Sequence, residues 1–108
     1  MSISGILNTA TSGMLAQQTR LSNVASNIAN ADTPGYQRLN TTLSASGAGV
    51  AATTTRSTDA PATQDTSNVD PLREITDMIG AENGFAANAK VFETGADMWD
   101  MLMSVKRD

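Results

Sequence analysis

The sequence of 108 residues contains no cysteine and no histidine. This absence excludes disulfides, thiol chemistry, the usual zinc sites and the imidazole base of serine or cysteine triads. No glycine-rich phosphate loop follows a predicted strand, and the carboxylates of the second half recur at the spacing of a solvated helix face. We therefore expect a protein that is not an enzyme and that holds neither a cofactor nor a metal ion.

Aromatic residues are scarce, with one Trp, one Tyr and two Phe. A chain of this length forms one small domain at most, and large aromatic side chains normally supply much of its core. The other apolar residues are mainly Ala, Ile, Leu, Val and Met, and they cluster towards the two ends. We expect such a chain to bury its apolar surface against copies of itself or other partners.

Basic residues and long apolar runs are also lacking. The net charge is −4 and no basic cluster is present, which argues against nucleic acid as a ligand. No apolar run approaches the ~20 residues that span a bilayer, so direct membrane insertion is not expected. The first basic side chain is Arg20, so we also expect no cleavable signal peptide.

What the sequence does contain is a heptad-like pattern near its beginning. Apolar residues from Ile3 to Ala31 recur at steps of three and four, with Gln17 in the single gap, which predicts a coiled-coil-like helix. Gln17 would either specify the register of packing or face solvent where the helices separate. The stripe that we predict to pack comprises Ile3, Leu7, Ala10, Met14, Leu21, Val24, Ile28 and Ala31.

A second helix is predicted in the last third of the chain. Asp70 is a suitable N-cap and Pro71 occupies the first helical position, where its missing N–H costs nothing. Apolar residues then lie on more than one side of the helix, so it needs more than one neighbour. The predicted packing positions are Ile75, Ile79, Phe85, Phe92 and Trp99, the last three of which are seven residues apart.

The segment between these helices, residues 39–67, consists mostly of Ser, Thr, Ala and Gly. It resembles a flexible linker, although the β-branched residues from Val50 to Thr55 could form a short hairpin. We predict an all-α fold in which two long antiparallel helices pack like a coiled coil and a flexible segment joins them. The predicted regions are 1–38, 39–67 and 68–108.

The most informative stretch is residues 22–38, which read SNVASNIANADTPGYQR. Three Asn residues lie along one helical stripe, and a Pro-Gly turn follows them. These could be ordinary surface amides before an ordinary helix stop. As a whole, however, the string resembles the N-terminal signature of the bacterial flagellar axial family, which comprises rod, hook and hook-associated proteins.

A second stretch carries the same resemblance near the other end. Residues 68–75 read NVDPLREI and residues 85–91 read FAANAKV, which are similar to the opening and the middle of the family's C-terminal helix. The resemblance covers about two thirds of the chain and is closest to the small proximal-rod proteins. It implies assembly roles for Asn27, Asn30, Thr33, Pro34, Gly35, Tyr36 and Asn88.

This resemblance implies a structural subunit of the flagellar rod that polymerises through its terminal helices. The implied partners are copies of the chain, other axial proteins and the flagellar export apparatus. The implied location is the periplasmic rod of the basal body. Since only about 29 residues separate the two signature regions, a shortened paralogue is an alternative. Another alternative is a small helical adaptor or export chaperone of the flagellar system.

Overall fold

A computed structural model describes residues 2–59 and 65–106 of the chain. Its elements are helix α1 (Ile3–Ala29), strands β1 (Leu39–Ser46) and β2 (Gly49–Arg56), and helix α2 (Pro71–Lys106). The molecule is elongated, with extents of 70 × 23 × 14 Å. The part of the predicted middle region at residues 60–64 lies outside the described residues.

Each helix begins at a capped end. The Ser2 hydroxyl accepts a hydrogen bond from the Gly5 amide at 3.0 Å, which satisfies one of the free N–H groups of α1. The Asp70 carboxylate accepts from the Leu72 amide at 3.1 Å, and α2 begins at Pro71. The predicted start of the second helix is therefore confirmed.

The two helices run antiparallel and pack along most of the length of α1. Small residues permit this approach: a side chain at Gly13 would collide with Asn88, and one at Gly84 would collide with Gln17. Gln17 therefore lies at the contact between the helices, where it is half-buried. Five residue pairs mark the contact along the helix axes. They are Leu7 with Gly95, Gly13 with Asn88, Gln17 with Gly84, Arg20 with Asp77, and Asn27 with Glu74.

The prediction of an all-α fold is wrong, because β1 and β2 form a two-stranded antiparallel sheet. Leu39 pairs with Arg56 at the open end, and Ser46 pairs with Gly49 at the turn, where Gly47 has a φ of +59°. A hairpin of Thr, Ser and Ala has little apolar surface of its own and needs support from another element. That support comes from α1.

Polar contacts attach the hairpin to α1. The Asn23 amide nitrogen donates to the Thr41 hydroxyl at 2.7 Å and to the Thr54 hydroxyl at 2.9 Å, so it joins both strands. Near the turn, the Val50 amide donates to the Ser12 hydroxyl at 3.1 Å. The segment that composition assigned to a flexible linker is thus paired from residue 39 to residue 56, apart from its turn.

The apolar core of the described chain is small. Its fully buried hydrophobic residues are Ala10, Ala16, Val24 and Ala81, and each is at most 3% exposed. The large apolar side chains of α2 remain outside this core, and Trp99, for example, is 46% exposed. Packing of small residues holds the helices close together, but it leaves most of the large apolar surface uncovered.

Candidate functional site

The candidate site is a buried polar cluster where the end of α1, the start of β1 and the start of α2 meet. We call it the polar junction and define it as Asn27, Tyr36, Arg38, Asn68 and Glu74. Asn27 and Glu74 are 0% exposed and Arg38 is 4% exposed. Buried polar groups are costly unless hydrogen bonds satisfy them, so their partners decide whether this cluster stabilises the fold.

Asn27 is fully satisfied. Its amide nitrogen donates to the Leu39 carbonyl at 3.0 Å and to Glu74 Oε2 at 3.1 Å. Its amide oxygen accepts from the Leu39 amide at 2.7 Å and from the Tyr36 hydroxyl at 3.0 Å. Two donors and two acceptors are the full capacity of an Asn side chain. Asn27 therefore connects α1, the turn at residues 33–36, β1 and α2.

Arg38 and Glu74 form a buried ion pair. Nε and one terminal nitrogen of Arg38 approach the same carboxylate oxygen, Glu74 Oε1, at 2.8 and 2.7 Å. The other terminal nitrogen donates to the Asn40 side chain. The Asp77 carboxylate lies 3.5 Å from Arg38 and 3.3 Å from Arg20. Alternating charges thus connect α1, the residue that precedes β1 and the first two turns of α2.

The turn that precedes β1 is built as its sequence requires. The Tyr36 amide donates to the Thr33 carbonyl at 3.2 Å and closes a four-residue turn over Pro34 and Gly35. Gly35 has a φ of +75°, which favours glycine, and no atom lies within 4 Å of the position of an added Cβ. The requirement for glycine therefore arises from the backbone, not from a lack of space.

The remaining signature residues lie near this turn. The Asn30 amide nitrogen donates to the Ser26 carbonyl at 2.9 Å at the end of α1, and its oxygen accepts from the Thr33 hydroxyl at 3.1 Å. The Tyr36 hydroxyl also lies 3.1 Å from the Ser26 hydroxyl. These contacts fix the direction in which the chain leaves α1.

Asn68 ties the segment before α2 to the same turn. Its side-chain oxygen accepts from the Arg38 amide at 2.6 Å, and its backbone amide donates to the Tyr36 carbonyl at 3.2 Å. Nearby, the Ser67 hydroxyl donates to the Ala31 carbonyl at 2.5 Å. The two stretches that carried the resemblance are therefore in direct contact in the fold.

Six of the seven signature residues lie at or beside the junction, but Asn88 does not. Asn88 packs over Gly13 in the middle of the helix pair and donates to the Gly84 carbonyl at 2.9 Å. Asn88 therefore affects the distance between the two helices and takes no part in the contacts of the turn.

The structure divides the predicted packing positions by burial. Val24 is buried, while Leu7 and Met14 are half-buried between the elements. Ala10 is also buried, and Ile3 and Ala31 are half-buried. The remaining predicted positions are exposed in the single chain, namely Leu21, Ile28, Ile75, Ile79, Phe85, Phe92 and Trp99. The described residues leave each of these side chains between 37% and 52% exposed.

Three residues of the junction, Arg38, Asn68 and Glu74, were not among the predicted site residues. Arg38 and Glu74 are 36 residues apart, and Glu74 was expected on a solvated face like the other carboxylates of α2. The signal that could have identified them is their position, because Arg38 closes the first resembling string and Glu74 lies within the second.

Neither helix in the described ranges carries an apolar stretch that could span a bilayer. Within residues 2–59 and 65–106, no group of acidic side chains is arranged to hold a metal ion.

Two family models match the chain at the two segments that meet in the junction. Residues 7–37 match the model described as "Flagella basal body rod protein". Residues 63–105 match the model described as "Flagellar basal body rod FlgEFG protein C-terminal". The order of the two matches is the order that the resemblance implied.

Curated flagellar proteins are also similar to part of the chain. The flagellar hook protein FlgE of Brucella suis is 47% identical over 45 residues, which cover 42% of this chain. FlgE of Rhizobium meliloti is 57% identical over 44 residues, or 41% of this chain. Each match covers 11% of the relative's length. Together with the two family models, these matches place the chain in the family of flagellar basal-body rod and hook proteins.

Proposed function

We propose that the chain is a structural subunit of the flagellar rod that polymerises through α1 and α2. Its partners in this proposal are copies of itself and other axial proteins of the flagellum. The family is a structural one, and the proposed role needs no catalysis. The short interval between the matched segments, residues 38–62, supports a small rod subunit over a hook subunit with a large domain between its helices.

The observation that carries this proposal is the imbalance between the small core and the large exposed apolar surface. The buried hydrophobic residues are three Ala and one Val, whereas Phe85, Phe92 and Trp99 are between 37% and 46% exposed. Full burial of one large apolar side chain stabilises by about 1.5–3 kcal/mol. Clusters of such exposed side chains usually mark surfaces that bind partners.

The polar junction supports the same proposal in another way. Asn27 and the Arg38–Glu74 pair hold the end of α1 against the start of α2. The two helices can then present their exposed side chains as one surface of fixed geometry. A subunit that must fit identical neighbours benefits from such a fixed arrangement.

We further propose that the flagellar export apparatus delivers the chain to the periplasmic rod without cleavage of a signal peptide. This part of the proposal rests on membership of the family. It involves no insertion of the chain into a membrane.

Purification of basal bodies from cells that carry an epitope-tagged copy of the chain tests the proposal. Immunogold labelling should place the tag on the rod, and an untagged strain provides the control. Label on the hook would assign the chain to a different axial position. Absence from basal bodies, together with a soluble complex that contains export components, would contradict the subunit role and favour an adaptor or chaperone.

A further inference from the structure

A polar pocket of about 350 Å³ lies between α1, β1 and the first turns of α2. We call it the arginine pocket, because three arginines contribute to its lining. Amide and hydroxyl groups of α1 and β1 complete the wall. The lining that matters here is Arg20, Asn23, Arg38, Asn40, Arg73 and Asp77.

The charges around this pocket are not balanced within the chain. Arg38 is paired with Glu74, and Arg20 is paired with Asp77. Arg73 is exposed, and no acidic side chain in the described residues forms an ion pair with it. An arginine that lacks a partner beside a recess lined by hydrogen-bond donors is suited to a carboxylate.

Unpaired carboxylates occur on α2 itself, far from the pocket. Asp97 and Asp100 are exposed and form no ion pair with any described residue. Gly95 is buried against Leu7 of α1, and Asp97 follows it by two residues, about 200° around the helix. With Glu93, these residues follow i, i+4, i+7 spacing, so they form one acidic face that points away from α1. We call this the acidic face.

We propose that the acidic face of one copy docks in the arginine pocket of a second copy. This inference rests on the proposed function and names one contact through which the subunits join. The chain has a net charge of −4, and the arginine pocket is the local exception to that charge. Complementary charges of this kind set the register and the partner of an interface.

The contact must form between molecules. Arg73 and Asp97 are 24 residues apart on one helix, so roughly 36 Å of helix separates them. The arginine pocket and the acidic face are different surfaces, so the contact is heterologous. In a docked pair, one copy keeps its arginine pocket free and the other keeps its acidic face free. Repetition of such a contact produces an open chain of subunits. Parallel copies would be displaced by roughly 36 Å, about half of the 70 Å length of the molecule.

Cysteine cross-linking tests this contact directly, because the natural chain contains no cysteine. Thr42→Cys and Met101→Cys proteins, which keep Arg73 and Asp97, are mixed and treated with a short bis-maleimide. Thr42 lines the pocket, and Met101 lies one helical turn beyond Asp97. We expect mixed dimers to exceed, by at least fivefold, those formed by Thr11→Cys with Met101→Cys. Thr11 is exposed and does not line the pocket. Equal yields from the two mixtures would overturn the inference.

A charge exchange provides the second measurement. Arg73→Asp should raise the protein concentration needed for polymerisation by at least tenfold, and so should Asp97→Arg. The double variant should return to within threefold of the natural chain. Glu82→Arg is the control, because Glu82 is exposed and lies outside the acidic face. Arg73→Asp protein that polymerises normally, or a double variant without rescue, would contradict the contact while leaving the rod role intact. A natural chain that neither polymerises nor cross-links would contradict both.

Discussion

At the residue scale, the Arg38–Glu74 pair shows why burial alone does not determine the energetic effect of a charge. Both side chains are almost completely inaccessible, and each has its hydrogen bonds directed at the other or at an amide. An ion pair of this kind adds little net stability compared with apolar residues of the same shape, but removal of one partner is costly. The pair therefore acts as a constraint on the arrangement of the elements.

Glu74→Ala leaves the Arg38 guanidinium buried without its main partner. We expect the assembled protein to lose about 3–5 kcal/mol, which is the usual cost of breaking a buried pair. Urea-induced dissociation of the polymer, followed by light scattering, measures this loss. The matched control is Glu82→Ala, because Glu82 is an exposed carboxylate that lies outside the acidic face and forms no ion pair with any described residue. That change should alter the stability by at most about 0.5 kcal/mol. Equal effects of the two substitutions would contradict the role of the junction.

Gly35 is needed for its backbone conformation. Its φ is +75°, whereas the space around it would accommodate a side chain. Gly35→Val should impair incorporation into the basal body more than it impairs expression or export. Gly35→Asn should be milder, because Asn tolerates positive φ better than a β-branched residue. Swimming assays and immunoblots of basal bodies measure both. Normal motility of Gly35→Val cells would show that the signature turn does not determine assembly.

At the element scale, the glycines of the helix pair differ in what an added methyl group would meet. A Cβ at Gly13 would lie 2.5 Å from the Asn88 side chain, which is held by its hydrogen bond to the Gly84 carbonyl. A Cβ at Gly80 would lie 2.9 Å from the end of the Arg20 side chain, which is long and can move. The same substitution should therefore be tolerated at Gly80 and destabilising at Gly13.

Gly13→Ala should weaken the helix pair although alanine is the better helix former. Gly80→Ala should be neutral or should stabilise by up to about 1 kcal/mol, because the gain in helix propensity is not offset by a collision. Thermal unfolding of the assembled protein, monitored by circular dichroism at 222 nm, compares the two variants. A higher midpoint for Gly13→Ala than for the natural chain would show that the close approach of the helices is not needed.

The helices and the hairpin were not equally predictable. Capping and apolar spacing identified α1 and α2, because helix formation is encoded locally. The hairpin was only an alternative, since its Thr, Ser and Ala residues lack the large apolar side chains of an ordinary strand. Its support is tertiary: Asn23 binds Thr41 and Thr54, residues 18 and 31 positions away. Local sequence does not reveal such contacts.

The predicted packing stripe of α1 is only partly buried in the single chain. It includes the large apolar residues Leu21 and Ile28, which are both 44% exposed, as well as the buried Val24. The side that meets α2 instead carries small and polar residues, including Gly13 and Asn27. Apolar periodicity identifies surfaces that will be buried, but it does not distinguish burial within one chain from burial between chains.

At the scale of the whole molecule, the residues inside the helix pair and those on its outer surface have different roles. Inside, small side chains and the polar junction set the geometry of the helix pair. Outside, α2 presents large apolar side chains along its length, including Ile79, Phe92 and Met101. If these are buried only on association, their contribution appears as dependence of stability on protein concentration. The central claim is therefore that the apolar surface of α2 is an interface between subunits.

Trp99 reports this claim most directly, because it is the only tryptophan and is 46% exposed in the single chain. Its fluorescence should resemble that of tryptophan in water in dilute monomer and should shift to the blue on polymerisation. Trp99→Asp should block assembly and leave the soluble protein intact. A blue-shifted spectrum in dilute monomer, or normal flagella in Trp99→Asp cells, would show that α2 is buried within its own chain and would contradict the account.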